Sequence, residues 1–92
     1  MLNPEFTGKF KRDYKAAPKR GLKPSELENV IEILCREEPL PIKYRDRQLN
    51  DSKDYQNMRE CHINPDWLLI YQIKKENLIL KLVRTDSHSD LF

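Results

Sequence analysis

Residues 58–85 read MRECHINPDWLLIYQIKKENLILKLVRT, and two short polar breaks in this stretch decide the fold. Three segments, Met58 to Ile63, Trp67 to Ile73 and Leu78 to Thr85, carry the β-branched, aromatic and leucine content of strands. Between the first two lies Asn64-Pro65-Asp66, where proline presets its own dihedral at the second turn position and asparagine bonds back to the backbone. Between the second and third lies the polar turn Lys75-Glu76-Asn77. Connections this short join antiparallel neighbours, because a parallel pair needs a crossover of about a dozen residues. The stretch is therefore predicted to form an antiparallel meander. Its first strand ends at the Asn-Pro-Asp turn, its second leaves from it, and its third returns to the same end of the sheet. His62, Asp66, Trp67, Arg84 and His88 are thereby predicted to converge.

Upstream, Leu2 to Phe6 reads as a short first strand. Phe10, Tyr14 and Ala17 then recur at helical spacing until Pro18 and Gly21 stop the pattern. Ser25 and Glu28 have the spacing of a capping box, in which hydroxyl and carboxylate each satisfy an unpaired amide. Leu27, Val30, Ile31 and Leu34 follow as an apolar stripe, which predicts a second helix from about Glu26 to Glu37. Pro39 and Pro41 end it. From there through Asp54 the chain is polar and aperiodic and reads as loop. The tail, Asp86 to Phe92, is too short for a further element stable by itself. No repeat or low-complexity tract is present.

Ninety-two residues with 38% hydrophobic and 35% charged side chains describe one charge-coated domain over residues 1–92, near the lower size limit for folding without a staple. No apolar run approaches the ~20 residues of a membrane span, and the first residues lack a secretory apolar region. The chain thus reads as cytoplasmic, with no membrane partner. In that setting Cys35 and Cys61, in apolar or strand-like stretches, are expected as two buried thiols rather than a disulfide. The net charge of +2 is unevenly spread: residues 1–23 carry seven Lys or Arg against two acids, residues 24–39 one Arg against five Glu. A basic first segment suits a phosphate backbone and equally suits a solvated helix face.

The predicted cluster has the groups that RNA cleavage without a metal requires. A base must take the 2′-hydroxyl proton, an acid must protonate the leaving 5′-oxygen, and cations must stabilise the phosphorane. Histidine performs both proton transfers, because its ordinary pKa of about 6.5 leaves both forms populated near neutrality. Arg84 offers a planar fork of donors to a phosphate. Asp66 can orient a histidine, and Trp67 or Phe92 can stack on an unstacked base, although Trp67, beside Leu68, Leu69 and Ile70, equally suits the core. Arg59 and Glu60 are readable as cross-strand ion-pair partners. His62, His88, Asp66 and Cys61 include zinc ligand types. Cys61 and His62 are adjacent on a strand, however, so they point to opposite faces, and the spacing matches no usual zinc signature. No metal and no small-molecule cofactor is expected. A Gly-rich phosphate loop and a nucleophile elbow are both lacking from the sequence.

Three blocks of sequence resemble the YafQ branch of the RelE-like toxins. They are Tyr44-Arg45-Asp46-Arg47-Gln48-Leu49, then Arg59-Glu60-Cys61-His62-Ile63-Asn64-Pro65-Asp66-Trp67-Leu68-Leu69-Ile70-Tyr71, then Arg84-Thr85-Asp86-Ser87-His88-Ser89-Asp90-Leu91-Phe92. The last two are specific, and the N-terminal half agrees only in style. The resemblance implies an α+β RelE-like fold: two N-terminal helices packed on a curved, mostly antiparallel sheet of about four to five strands. It implies a toxin of a type II toxin–antitoxin system, a metal-independent endoribonuclease that cleaves messenger RNA on the translating ribosome. A cognate antitoxin of the DinJ type would inhibit it. The catalytic residues so implied are His62, Asp66, Arg84 and His88, with Arg47, Arg59, Trp67 and Phe92 binding RNA or supporting the transition state.

The chain departs from the family pattern at one position. Where the family has a histidine in its Asp-His-x-Leu segment, this chain has Arg47, and the following loop is longer and lacks the usual glycines. Guanidinium cannot serve as a general base, so Arg47 is expected to act as a cation and the proton transfers fall on His62 and His88. Two other functions remain open at this level. One is an RNA- or ribosome-binding relative with lost activity. The other is a gyrase poison of the ParE-like type, which shares the fold and lacks the paired histidines.

Overall fold

Trp67, Leu68, Leu69, Ile70 and Tyr71 are all buried, five consecutive residues of one strand. A strand buried on successive positions must be covered on both faces, unlike the alternating strand of a sheet with one wet face. This strand, β4 (Trp67–Lys74), is the middle of a five-stranded sheet in the computed structural model, which describes residues 1–50 and 52–92. Asp51, inside the stretch read as loop, lies outside the described residues. The other strands are β1 (Asn3–Phe6), β2 (Arg47–Leu49), β3 (Met58–Asn64) and β5 (Ile79–Asp86), in the spatial order β1-β5-β4-β3-β2. β1 runs parallel to β5 and every other pair is antiparallel. The α+β class and the meander follow the sequence reading.

Two helices cover one face. α1 (Gly8–Ala16) starts at Thr7, whose side chain accepts from the Phe10 amide at 3.1 Å, and it passes through a 3-10 turn to Gly21 at φ 77°. α2 (Pro24–Cys35) departs from expectation at its start. Lys23 is the N-cap and makes no side-chain capping bond, so the Ser25–Glu28 capping box does not form. Proline's fixed φ and missing amide suit the first helical position, which moves Ser25 into the first turn where it no longer caps. The helix also ends two residues early. Glu37 adopts φ 58°, its amide bonds to the Leu34 carbonyl and the Glu38 amide to that of Ile33, closing the helix as a Schellman motif. Phe10, Leu27, Val30 and Leu34 pack there on Cys61, Ile63, Trp67, Leu69, Tyr71, Leu80 and Leu82. Cys35 and Cys61 are free, buried thiols, as expected.

The opposite face has its own smaller core of Leu49, Leu68, Ile70 and Leu91, joined by Tyr55, Met58 and Val83. Two elements not anticipated from sequence build it. β2 is a three-residue edge strand within the stretch read as loop, paired with Met58 to Glu60. α3 (His88–Leu91) is a single helical turn within the tail, capped by Ser87 and anchored by buried Leu91. Neither has enough residues to show a period, and both depend on packing against β3 to β5. No helix among the described residues is long and apolar enough to cross a membrane.

Candidate functional site

The face of the sheet away from α1 and α2 collects most of the polar residues singled out above. Strand alternation sends Cys61 toward the helices and Glu60 and His62 the other way, and His62 lies opposite Leu68 of the second core. Arg47 is opposite Glu60 across the β2–β3 pair, with Nε 2.6 Å from Glu60 Oε1. The two partners differ in exposure: the Arg47 side chain is 60% exposed and that of Glu60 only 3%. Glu60 Oε2 and His62 Nδ1 are buried and have no hydrogen-bond partner among the described residues. His62 also lines a depression of about 160 Å³ with Lys43, Arg45, Asn64 and Pro65. Arg45 sits there in the left-handed region, at φ 48°.

α3 brings His88 and Phe92 onto the same face. Their rings lie 5.1 Å apart, and Phe92 meets Tyr55 edge-on at 5.7 Å. Phe92 shares a second depression with Arg47, Leu49, Asn50 and Ser52. Phe92 therefore lies beside both Arg47 and His88. The register places His62 opposite Leu68, and Leu68 opposite Asp86, two residues before His88. At strand spacings of ~4.8 Å that puts Asp86 about 10 Å across the sheet from His62.

Arg84 lies opposite Ile70 on β5, beside a bulge. β1 stops at Phe6, opposite Leu82, and α1 covers the edge of β5 beyond it: Thr7 Oγ1 donates to the Val83 carbonyl at 2.9 Å. Asp13 of α1 accepts from Arg84 Nε at 2.7 Å, from Arg84 Nη2 at 3.0 Å and from the Thr85 amide at 3.0 Å. One edge of the Arg84 fork is thus taken by protein. The bond to Asp13 is also the main cause that raises the Arg84 pKa above its ordinary value, and the nearby Tyr55 hydroxyl adds to it. Arg84 is a permanent cation, held in place.

Three expected site residues are elsewhere or unengaged. Trp67 is fully buried under the helices, so it is a core residue and no stacking platform, as its apolar flanks allowed. Arg59 faces the helix side, bonded to Asp46 at 2.8 Å and beside Gln48, because it is one residue out of phase with Glu60. Asp66 is exposed in the β3–β4 turn. Only its amide is engaged, with Asn64 Oδ1 at 3.0 Å, and its carboxylate bonds neither histidine among the described residues. The sequence reading gave Glu60 only as a cross-strand ion-pair partner, which it is, with Arg47, and assigned no site role to Tyr55 or Arg45. For Glu60 the signal was available, since it is two residues from His62 on one strand face.

This arrangement can be set beside known proteins. The model of YafQ, a bacterial toxin of type II toxin–antitoxin systems, matches residues 2–92. The chain belongs to that family. A curated mRNA interferase toxin YafQ of Escherichia coli strain B / BL21-DE3 is 35% identical over 89 residues, 96% of this chain and 92% of the relative. The YafQ-like fold is equally clear in solved structures. A metal-bound toxin from Helicobacter pylori superposes with a TM-score of 0.91 at 44% identity, covering 100% of each chain. An E. coli DinJ–YafQ complex structure superposes at 0.86 and 33% identity, over 100% of this chain and 99% of that one. As a YafQ-family member the chain is the toxin component of a type II toxin–antitoxin system.

Proposed function

We propose that this chain, a single domain over residues 1–92, is a metal-independent endoribonuclease that cuts messenger RNA on the translating ribosome. One histidine of the pair His62 and His88 takes the proton from a ribose 2′-hydroxyl, whose oxygen attacks the adjoining phosphorus. The P–O5′ bond breaks, and the other histidine delivers a proton to the leaving oxygen. Arg47, with its terminal nitrogens projecting from the Glu60 contact, and Arg84, steadied by Asp13, stabilise the phosphorane charge. Phe92, half-exposed beside His88, stacks on an unstacked base. The observation that carries this reading is the placement of Arg47, His88 and Phe92 around one stretch of sheet surface that also bears His62.

So few base-stacking and phosphate-gripping groups align free RNA poorly, which favours the ribosome as the surface that orients the substrate. The inhibitory partner is an antitoxin of the DinJ type, encoded alongside; the E. coli relative is seen in a DinJ–YafQ complex. Incubating the protein with programmed ribosomes and with naked messenger, then locating breaks by primer extension, tests the reading. Breaks in the ribosomal A site that persist in a chelator and vanish with His88→Ala are expected. No breaks, or equal cleavage of naked messenger, would overturn it.

A further inference from the structure

Glu60 is the most buried charged residue among those whose burial is described, 2% exposed, and only half of its carboxylate is accounted for. Oε1 binds Arg47 Nε at 2.6 Å, while Oε2 is enclosed and has no donor. Buried acceptors without partners are rare. Two residues along the same strand face, His62 Nδ1 is enclosed and lacks a partner as well. Residues i and i+2 of a strand are separated by about 6.8 Å between Cα atoms, a span that glutamate and imidazole side chains together bridge, directly or through one water. The two unmet groups are complementary, because a neutral imidazole with its proton on Nδ1 is a donor where Glu60 needs one.

We propose that Glu60 is a positioning residue that couples Arg47 to His62: Oε1 holds the guanidinium, and Oε2 accepts the Nδ1 proton of His62. The coupling fixes the imidazole as the Nδ1–H tautomer and turns the lone pair of Nε2 toward RNA, the state a proton-accepting histidine requires. Arg47 in turn sets a positive charge against the enclosed carboxylate. The other charged groups around His62, Lys43 and Arg45, are cations and cannot accept its proton, and its neighbour on β4, Leu68, is apolar. Asn64, two residues further along β3, has its Oδ1 engaged by the Asp66 amide at 3.0 Å, whereas Glu60 Oε2 is an enclosed acceptor with no donor among the described residues; Glu60 is therefore the acceptor assigned to this position. The inference deepens the nuclease reading and rests on it for its catalytic consequence, but the tautomer is measurable without any substrate.

The test is a long-range proton–nitrogen correlation spectrum of the histidine-labelled protein at a pH where His62 is neutral. The Nδ1–H tautomer is expected, and an Nε2–H tautomer overturns the proposal whether or not any variant folds. Glu60→Gln sharpens the test. Arg47 Nε still needs an acceptor and takes the amide oxygen, which leaves the amide NH₂ facing His62. Nδ1 must then accept, so the tautomer flips to Nε2–H, while that of His88 stays as it was. Cleavage on programmed ribosomes should fall by the roughly 10²- to 10⁴-fold that goes with losing a general base. A folded Glu60→Gln protein with the parental His62 tautomer refutes the coupling. A flipped tautomer in a chain that never cleaves RNA refutes instead the nuclease reading.

Discussion

His88 and Phe92 stack across the single turn of α3, with ring centroids 5.1 Å apart and planes 36° from one another. The contact spans i to i+4, so it exists only while that turn is formed. Buried Leu91 and the Ser87 cap hold the turn against the sheet. The terminal aromatic thus has two uses, as a platform for a base and as a prop for a proton-transferring side chain. Phe92→Ala should lower single-turnover cleavage on programmed ribosomes roughly 5- to 150-fold, the equivalent of losing one base–aromatic stack of ~1–3 kcal/mol. Because Phe92 is half-exposed, thermal unfolding should shift little. A large loss of stability with unchanged cleavage would assign the ring to the fold instead.

Asp13 accepts three hydrogen bonds at the edge of β5, two from Arg84 and one from the Thr85 amide. Its side chain is 11% exposed, so little water is available to replace them. Asp13→Asn leaves one oxygen for three donors and turns an NH₂ group toward a guanidinium. A loss of about 1–3 kcal/mol in denaturant unfolding is expected, together with slower cleavage as Arg84 loses its anchor. Glu32→Gln, in the exposed pair with Arg36, should cost under ~0.5 kcal/mol. Equal effects from the two substitutions would show that burial at Asp13 contributes nothing.

What the sequence made legible divides along a physical line. The meander could be read because each of its turns carries its own chemistry, Asn64-Pro65-Asp66 most clearly, and because Trp67 to Ile73 is long enough to declare itself. β2 and α3 could not, since three or four residues show no period and both form only against surfaces assembled by distant strands. The Ser25–Glu28 spacing satisfied a local rule that Pro24 overrode one position earlier. Among the candidate site residues, convergence was judged by distance along the strands. Side-chain direction then separated them: Trp67 and Arg59 turn to the helices, His62 and Glu60 away from them. Strict alternation applied from Cys61 would have found Glu60 and discarded Arg59.

Alkaline pH should weaken the fold. Burial, chiefly, pushes the Cys61 thiol well above its ordinary value, and burial followed by the bond to Asp46 does the same for the Tyr71 hydroxyl. Both groups hold their protons more tightly folded than unfolded. Their contribution is complete below the unfolded pKa values and is lost as pH rises above them, from about 8.5 for the thiol and about 10 for the phenol. Above the unfolded thiol value Cys61 should lower stability by about 1.4 kcal/mol per pH unit, and Cys35, whose thiol is also pushed up by burial, adds to the decline. Urea midpoints collected between pH 7.5 and 10 should show the decline, and Cys61→Ala should flatten its first part. A parental curve that is level to pH 10 contradicts the assignment.

Helix α1 exposes Lys9, Lys11, Arg12 and Lys15 on the surface of the molecule. An inhibitory antitoxin with an acidic surface would be steered toward that helix, and steering is a property of the association rate. Stopped-flow mixing with the cognate antitoxin should give an association rate constant at least roughly tenfold lower in 0.5 M salt than in 0.05 M, where screening is weak. Dissociation should change less. Rates independent of ionic strength would remove α1 from the encounter.

Arg47 stands where the family pattern has a histidine, and the structure gives it a duty that leaves no room for proton transfer. Its Nε is bound to Glu60, its charge is permanent, and its side chain opens toward Phe92. His62 and His88 then remain to carry protons. His88→Ala should reduce cleavage by about 10²- to 10⁴-fold, the range for loss of a general acid or base, and abolish growth arrest while folding and antitoxin binding persist. Arg47→Lys keeps the cation but has one nitrogen to divide between Glu60 and a phosphate, so a smaller loss, on the order of tenfold, is expected. Arg47→His introduces a third titratable group beside Glu60. It should preserve or raise the single-turnover rate on programmed ribosomes and change how that rate depends on pH. If Arg47→Lys proves as damaging as His88→Ala, the guanidinium is doing more than holding charge. If His88→Ala cleaves at near the parental rate, the proton comes from another group, and Tyr55, in edge contact with Phe92, is the next hydroxyl to remove.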